Sequence, residues 1–92
     1  MVETFARLPS ETYTELLKFL IQPLLEGSDS LRIHAEVNGA RVWLRVAIAP
    51  SARGKVFGKG GKTIQTIRTV LHTTAKNLGH NLTLELYDAG RN

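Results

Sequence analysis

Two stretches of alternating apolar and polar residues constrain the fold more than any other feature of this chain. Residues 31–37 alternate strictly, Asn38-Gly39 follows, and the alternation resumes over residues 40–48. Because asparagine and glycine both tolerate a positive φ, this pattern predicts a β-hairpin with Asn38 and Gly39 as its two turn residues. On the side facing a core, the predicted pairs are Ala35 with Val42, Ile33 with Leu44 and Leu31 with Val46.

Helical periodicity flanks the hairpin on both sides. Apolar spacing predicts a helix over residues 10–25, with a kink or a new turn at Pro23. A short helix reaching Phe57, a longer one over residues 64–78 and a last strand over residues 82–87 are predicted after the hairpin. A strand, helices and a strand form a crossover unit, which favours parallel pairing of the second and third strands. The predicted fold class is therefore α+β, in the order αββααβ, with a three-stranded mixed sheet covered on one face by helices.

Positive charge is concentrated in the middle of the chain. The 92 residues carry a net charge of +4, to which residues 1–36 contribute −3, residues 37–84 contribute +8 and residues 85–92 contribute −1. The middle segment contains no acid. An acid-free segment of this length is typical of a protein with a phosphate-rich partner.

The residue types present argue against catalysis. The chain has no cysteine, so disulfides, thiolate metal sites and a cysteine nucleophile are excluded. Its three histidines lie too far apart in sequence for a local metal motif such as HExxH. We therefore expect no cofactor, no metal and no enzymatic activity.

The sequence also lacks the signals of a membrane or secreted protein. The longest apolar run, residues 19–25, is too short to span a bilayer and is interrupted by Gln22 and Pro23. The first nine residues lack the basic opening and apolar stretch of a secretory signal. We expect a cytoplasmic protein without a membrane partner.

A glycine- and lysine-rich segment, GKVFGKGGKT at residues 54–63, joins the two helices predicted after the hairpin. It is not a P-loop, because that motif follows a strand and requires glycine where this chain has Val56. Glycine lets a phosphate approach the main chain closely, and the start of a helix offers unpaired amides with a partial positive charge. The segment predicts a binding site for a phosphate backbone.

Residues 56–64, read as V-Φ-G-x-x-G-x-x-I with Φ apolar, resemble the GXXG loop of the KH domain, which binds single-stranded nucleic acid. The element order resembles the type II KH topology, and residues 10–88 are similar to the small single-KH RNA-binding proteins of bacteria, the KhpA family. The resemblance implies a KH domain over residues 10–88, between flexible termini at residues 1–9 and 89–92. The chain departs from the family pattern at Phe57, where isoleucine is commoner, and at the extra glycine, Gly60.

The resemblance implies single-stranded RNA binding of low sequence specificity, in post-transcriptional regulation or as an RNA chaperone. It also implies self-association into a dimer and a larger KH-containing partner protein. A groove for about four nucleotides would lie between the two loop-flanking helices and residues 82–84 of the last strand. The expected RNA-binding residues are Arg53, Lys55, Val56, Phe57, Gly58, Lys59, Gly60, Gly61, Lys62 and Ile64, with Arg68 extending the positive charge.

Two alternatives remain open at the level of sequence. The chain could be a protein-interaction or scaffold module on a KH-like fold, with the basic loop as solvated surface and little intrinsic RNA binding. Separately, the sheet face opposite the helices would carry Trp43 among basic groups: Arg32, His34, Arg41 and Arg45. Such a face either stacks bases, as in other RNA-binding folds, or contacts a partner or a second copy of the chain.

Overall fold

The computed structural model describes residues 9–26 and 31–88, and every structural statement below refers to them. The elements are α1 (Pro9–Ile21), β1 (Leu31–Asn38), β2 (Arg41–Ile48), α2 (Arg53–Phe57), α3 (Lys62–Asn77) and β3 (Asn81–Asp88). Short 3-10 turns follow α1 (Gln22–Leu24), precede α2 (Pro50–Ala52) and join α2 to α3 (Lys59–Gly61). The predicted αββααβ order is confirmed. Apart from Pro9, which begins α1, the termini predicted to be flexible lie outside the described residues.

The predicted sheet topology is confirmed. The strand order is β1-β2-β3, so the strand following the hairpin turn is central. It pairs antiparallel with β1 and parallel with β3. The parallel pairing follows from the crossover through α2 and α3, because a connection of that length cannot form a tight hairpin.

The predicted hairpin register is wrong by two residues. Asn38 pairs with Arg41, so the turn residues are Gly39 and Ala40. Gly39 has a φ of 62°, and no described non-glycine residue has a positive φ. A positive φ at Gly39 followed by a negative φ at Ala40 fits a type II′ turn, which has glycine at its first central position. It does not fit the type I′ turn predicted from Asn38-Gly39. The core-facing pairs become Ala35 with Leu44, Ile33 with Val46 and Leu31 with Ile48.

All described helices pack on one face of the sheet, as predicted, and the core lies between the two layers. The core-facing residues of the central strand are at most 1% exposed: Val42, Leu44, Val46 and Ile48. Three- and four-residue spacing brings the buried side of each long helix onto them. The helical contributions are Tyr13, Leu17 and Ile21 from α1 and Ile64, Ile67, Leu71 and Ala75 from α3. No helix among residues 9–26 and 31–88 is long and apolar enough to cross a membrane.

Tyr13 links α1 to the segment between α3 and β3. Its side chain is fully buried, and its hydroxyl lies 2.6 Å from Nδ1 of His80. Burial raises the pKa of Tyr13, so the phenol stays protonated and can donate a hydrogen bond to this nitrogen. The two rings also meet edge to face, with centroids 5.7 Å apart.

We expect Tyr13→Phe to lower the free energy of unfolding by about 1 kcal/mol, because Nδ1 of His80 loses its partner in a partly buried position. Urea unfolding followed by circular dichroism measures the change. The matched control is Tyr87→Phe, which removes an exposed hydroxyl bonded to Glu85 and should cost less than about 0.5 kcal/mol. Equal costs for the two variants would contradict a stabilising contact between Tyr13 and His80.

Candidate nucleic-acid interface

The loop between α2 and α3, residues 58–61, is here called the glycine loop. Gly58 ends α2, and its N–H donates to the carbonyl of Gly54 at 2.8 Å. Its φ of 76° is positive, and its ψ of 172° lies outside the left-handed helical region. Only glycine populates this conformation readily. The N–H of Gly61 donates back to the carbonyl of Gly58 at 3.1 Å, which closes the loop.

Gly58 lies directly against the first turn of α3. A Cβ atom at this position would be 2.7 Å from Cβ of Thr63 and 2.9 Å from its backbone nitrogen. Neither contact is acceptable for a real side chain. Absence of a side chain at Gly58 therefore sets how closely the end of α2 approaches the start of α3.

Gly60 and Gly61, unlike Gly58, have open space where a side chain would lie. Both are left-handed, with φ 65° and ψ 18° at Gly60 and φ 74° and ψ 16° at Gly61. A Cβ atom at either position would meet nothing within 4 Å. The outer side of the glycine loop is therefore open, and a ligand can come close to its main chain.

The start of α3 keeps its positive character. Gly61 is the N-cap, no side chain makes a capping hydrogen bond, and no acidic residue lies in the first turn. The partial positive charge of the helix N-terminus is therefore not offset by a nearby side chain of the same helix. An anion at the glycine loop would be stabilised by this charge.

Three exposed lysines lie in the glycine loop or within three residues of it along the chain: Lys55, Lys59 and Lys62. Nζ of Lys55 lies 3.4 Å from a carboxylate oxygen of Glu26, and both side chains are well exposed, so the pair contributes little stability. Lys59 and Lys62 form no ion pair with any described residue. Their ammonium groups remain available to a phosphate.

Arg53 and Phe57 extend this basic surface along α2. Cζ of Arg53 lies 4.8 Å from the centroid of the Phe57 ring, within cation–π range. Phe57 is half-buried and packs against the core. One aromatic side chain thus contributes to the core and holds a guanidinium beside the glycine loop.

The apolar residues expected along the groove divide by burial. Val56 is fully buried, while Ile64 and Leu84 are 6% and 3% exposed. These three belong to the core and have little or no surface to offer a base. Phe57 and Leu82 are half-buried, so they are the apolar side chains that present surface at the two predicted walls.

Arg68 bridges the elements predicted to border the groove. Its Nη1 donates to the carbonyl of Leu84 at 3.0 Å, which links α3 to the edge strand β3. The sequence indicated Arg68 only as added positive charge. The bond could not be predicted from periodicity, because it joins residues sixteen positions apart in different elements.

A family model for the KH domain of KhpA and KhpB matches residues 14–86, from within α1 to within β3. The chain belongs to the KhpA/KhpB KH-domain family. The family resemblance inferred from the loop motif and the element order is confirmed. In this KH domain the match includes the glycine loop and both helices that flank it.

The curated relatives of this KH domain are bacterial proteins of similar length. The chain is 28% identical over 74 residues to the RNA-binding protein KhpA of Bacillus subtilis, covering 80% of this chain and 91% of the relative. It is 32% identical over 75 residues to KhpA of Chlamydia pneumoniae, covering 80% and 95%. It is 30% identical over 73 residues to KhpA of Clostridium acetobutylicum, covering 78% and 96%. The names of these relatives describe RNA-binding proteins and no enzyme.

Two contacts of the candidate interface have no signal in the sequence. Thr63 reads as an ordinary first-turn residue, yet it packs against Gly58. Glu26 reads as part of a polar segment after α1, yet it pairs with Lys55. Both contacts depend on how the helices dock on the sheet. No group of three or more potential metal ligands occurs in the described part of the chain.

Proposed function

We propose that this KH domain binds single-stranded RNA at the glycine loop, by its sugar-phosphate backbone and with low preference for base sequence. The observation that carries the proposal is the open space outside Gly60 and Gly61, next to a helix start that no side chain caps. The relatives described above are RNA-binding proteins, which supports the same partner. Contacts to phosphate fix the position of a strand but carry no sequence information directly, which accounts for low specificity.

The glycines and lysines of the loop and of the first turn of α3 have different roles in RNA binding. Gly58 sets the distance between α2 and α3, and Gly60 and Gly61 admit the backbone of the RNA. Lys59 and Lys62 attract the phosphates and release their counterions on binding. About four nucleotides would then lie along the groove, with bases against Phe57 and Leu82.

A lone KH domain holds few nucleotides, so useful affinity requires a second RNA-binding unit. Linking two such units raises the overall affinity by making the second contact intramolecular. We propose that this unit is a second copy of the chain or a larger KH-containing protein. Limited base preference suits post-transcriptional regulation or RNA chaperone activity in the bacterial cytoplasm.

Salt dependence tests whether the loop lysines contact phosphate. The slope of log Kobs against log salt concentration changes by about 0.7 for each phosphate of a single strand that the protein no longer neutralises. Lys59→Gln and Lys62→Gln are each expected to make the slope shallower by about that amount. Fluorescence anisotropy with a labelled oligouridylate measures both slope and affinity.

The control for this titration is Lys18→Gln, which removes an exposed lysine from α1 and should leave the slope unchanged. Wild-type slopes in both loop variants would place the phosphate contacts elsewhere. Negligible RNA retention by the wild type at moderate salt would favour the alternative, a protein-interaction module on a KH fold.

A further inference from the structure

The sheet face turned away from the helices, here called the open face, carries aromatic rings among arginines. Side chains alternate along strands, so this face is formed by the even-numbered residues of β1 and the odd-numbered residues of β2 and β3. Its basic and aromatic members are Arg32, His34, Arg41, Trp43, Arg45 and Tyr87. Tyr87 is 48% exposed, and Cζ of Arg41 lies 5.4 Å from the Trp43 ring.

A shallow cavity of about 390 Å³ opens on this face. Its lining residues are Arg32, Ile33, His34, Arg45, Ala47 and Tyr87. In the sheet register Ala47 lies between Arg32 of β1 and Tyr87 of β3, so a small side chain on the central strand is flanked by two large ones. The volume falls within the range of small-molecule sites, about 300–1,000 Å³, and accommodates a nucleobase with its sugar.

Glu85 holds one side of this cavity in place. Its Oε1 accepts a hydrogen bond from the Tyr87 hydroxyl at 2.9 Å and lies 3.4 Å from Nε of Arg45. The hydrogen bond to Glu85 raises the pKa of Tyr87, so the ring stays neutral and can stack on a base. Glu85 also offsets the charge of Arg45. Arg32 and Arg41 form no ion pair with a described residue and supply the remaining positive charge.

The charge of the open face favours a polynucleotide over a second copy of the chain. Three arginines outnumber two glutamates, Glu36 and Glu85, and Glu36 lies 3.4 Å from His34. The face therefore keeps a net positive charge, which the same face of a second copy does not complement. Single-stranded nucleic acid instead offers bases to the aromatic rings and phosphates to the guanidinium groups.

We propose that the open face is a second contact site for single-stranded RNA. One base stacks on Tyr87 within the cavity above Ala47, and Arg32 contacts the adjacent phosphate. This site lies on the opposite side of the sheet from the helices, so it is separate from the glycine loop. A strand longer than the roughly four nucleotides of the KH groove can contact both sites, and the two contacts reinforce each other.

Trp43 can report on RNA bound to the open face, because it lies on that face, on the same strand as Ala47, and is the only tryptophan of the chain. We expect an unlabelled oligouridylate of about twelve nucleotides to change its fluorescence, within the range of single-strand site sizes. The double variant Arg32→Ser/Tyr87→Ala is expected to bind this oligomer about tenfold more weakly, since stacking of one base contributes about 1–3 kcal/mol. Its affinity for an oligomer of about four nucleotides, measured by anisotropy, should stay at the wild-type level.

The matched control is Lys18→Ser/Phe19→Ala, which also removes one cation and one exposed ring, but from α1. It should bind both oligomers like the wild type. Unchanged affinity of the Arg32→Ser/Tyr87→Ala variant for the longer oligomer would overturn the proposal. So would an altered oligomeric state in sedimentation with RNA binding retained, since the face would then be a contact between copies.

A variant with a disabled glycine loop, Lys59→Asp/Gly60→Asp, separates this proposal from the RNA-binding proposal for that loop. At low salt, the Trp43 response to the longer oligomer should persist in this variant, although the short oligomer no longer binds. If the loop variant still binds the short oligomer, the proposal for the glycine loop is contradicted and the proposal for the open face is not. If Trp43 of the wild type does not respond to RNA, the proposal for the open face is contradicted and the proposal for the glycine loop is not.

Discussion

Replacing Lys59 and Gly60 together with aspartate is expected to weaken binding of a short single-stranded RNA by about 100-fold or more. The change removes an ammonium group and places two carboxylates where the phosphate backbone would lie, so attraction becomes repulsion. The fold should survive. Lys59 is exposed, a side chain at Gly60 meets nothing within 4 Å, and aspartate tolerates a left-handed backbone better than most residues.

The control for this variant is Lys76→Asp/Asn77→Asp at the other end of α3, which changes the net charge by the same amount at two exposed positions. Anisotropy with a labelled oligouridylate measures affinity, and circular dichroism checks that both variants remain folded. Affinity should fall sharply only in the loop variant. A comparable weakening in both variants would indicate a diffuse charge effect, and retained binding in both would remove the glycine loop from the interface.

The hairpin shows how far sequence patterning determines a register. Alternation predicts both strands and the side that faces the core, and both predictions hold. It does not separate the predicted register from the observed one, because a shift of two residues keeps every side chain on the same face. Only the turn distinguishes them. In this chain Gly39 takes the first central position of the turn, and β1 extends to Asn38.

The glycine loop was predictable because its signal is local. Glycines at residues 58, 60 and 61 between two helical segments indicate a loop whose main chain a ligand can approach closely, and the space outside Gly60 and Gly61 is open. Burial was not predictable to the same extent. Val56 and Ile64 could lie in the core or along a groove, and the docking of α2 and α3 on the sheet places both in the core. Contacts between elements, such as Arg68 with Leu84, depend on the same docking.

Gly58→Ala is expected to lower the free energy of unfolding by about 3 kcal/mol or more, a large effect for the addition of one methyl group. Two separate costs add at this position. The combination of φ 76° and ψ 172° is nearly exclusive to glycine and costs other residues about 1–3 kcal/mol. The new Cβ atom would also overlap Thr63, and such overpacking typically costs about 1–3 kcal/mol.

Gly60→Ala is the matched comparison within the same loop. It also requires a left-handed backbone, but the added methyl group enters open space, so the expected cost is only about 1–2 kcal/mol. Urea unfolding of the two variants measures the difference. Similar costs at both positions would contradict the close approach of Gly58 to α3.

Combining Gly58→Ala with Thr63→Ala identifies which atoms of Thr63 the new methyl group overlaps. Thr63→Ala removes Oγ1 but leaves Cβ and the backbone nitrogen, which would lie 2.7 Å and 2.9 Å from the new methyl carbon. Gly58→Ala should therefore remain strongly destabilising in the Thr63→Ala background, and any residual folded protein should bind RNA weakly because the start of α3 is displaced. Full recovery of stability would instead assign the conflict to the hydroxyl alone. Persistence of the cost would show that the first glycine of the loop is required by the main chain of the helix that follows it.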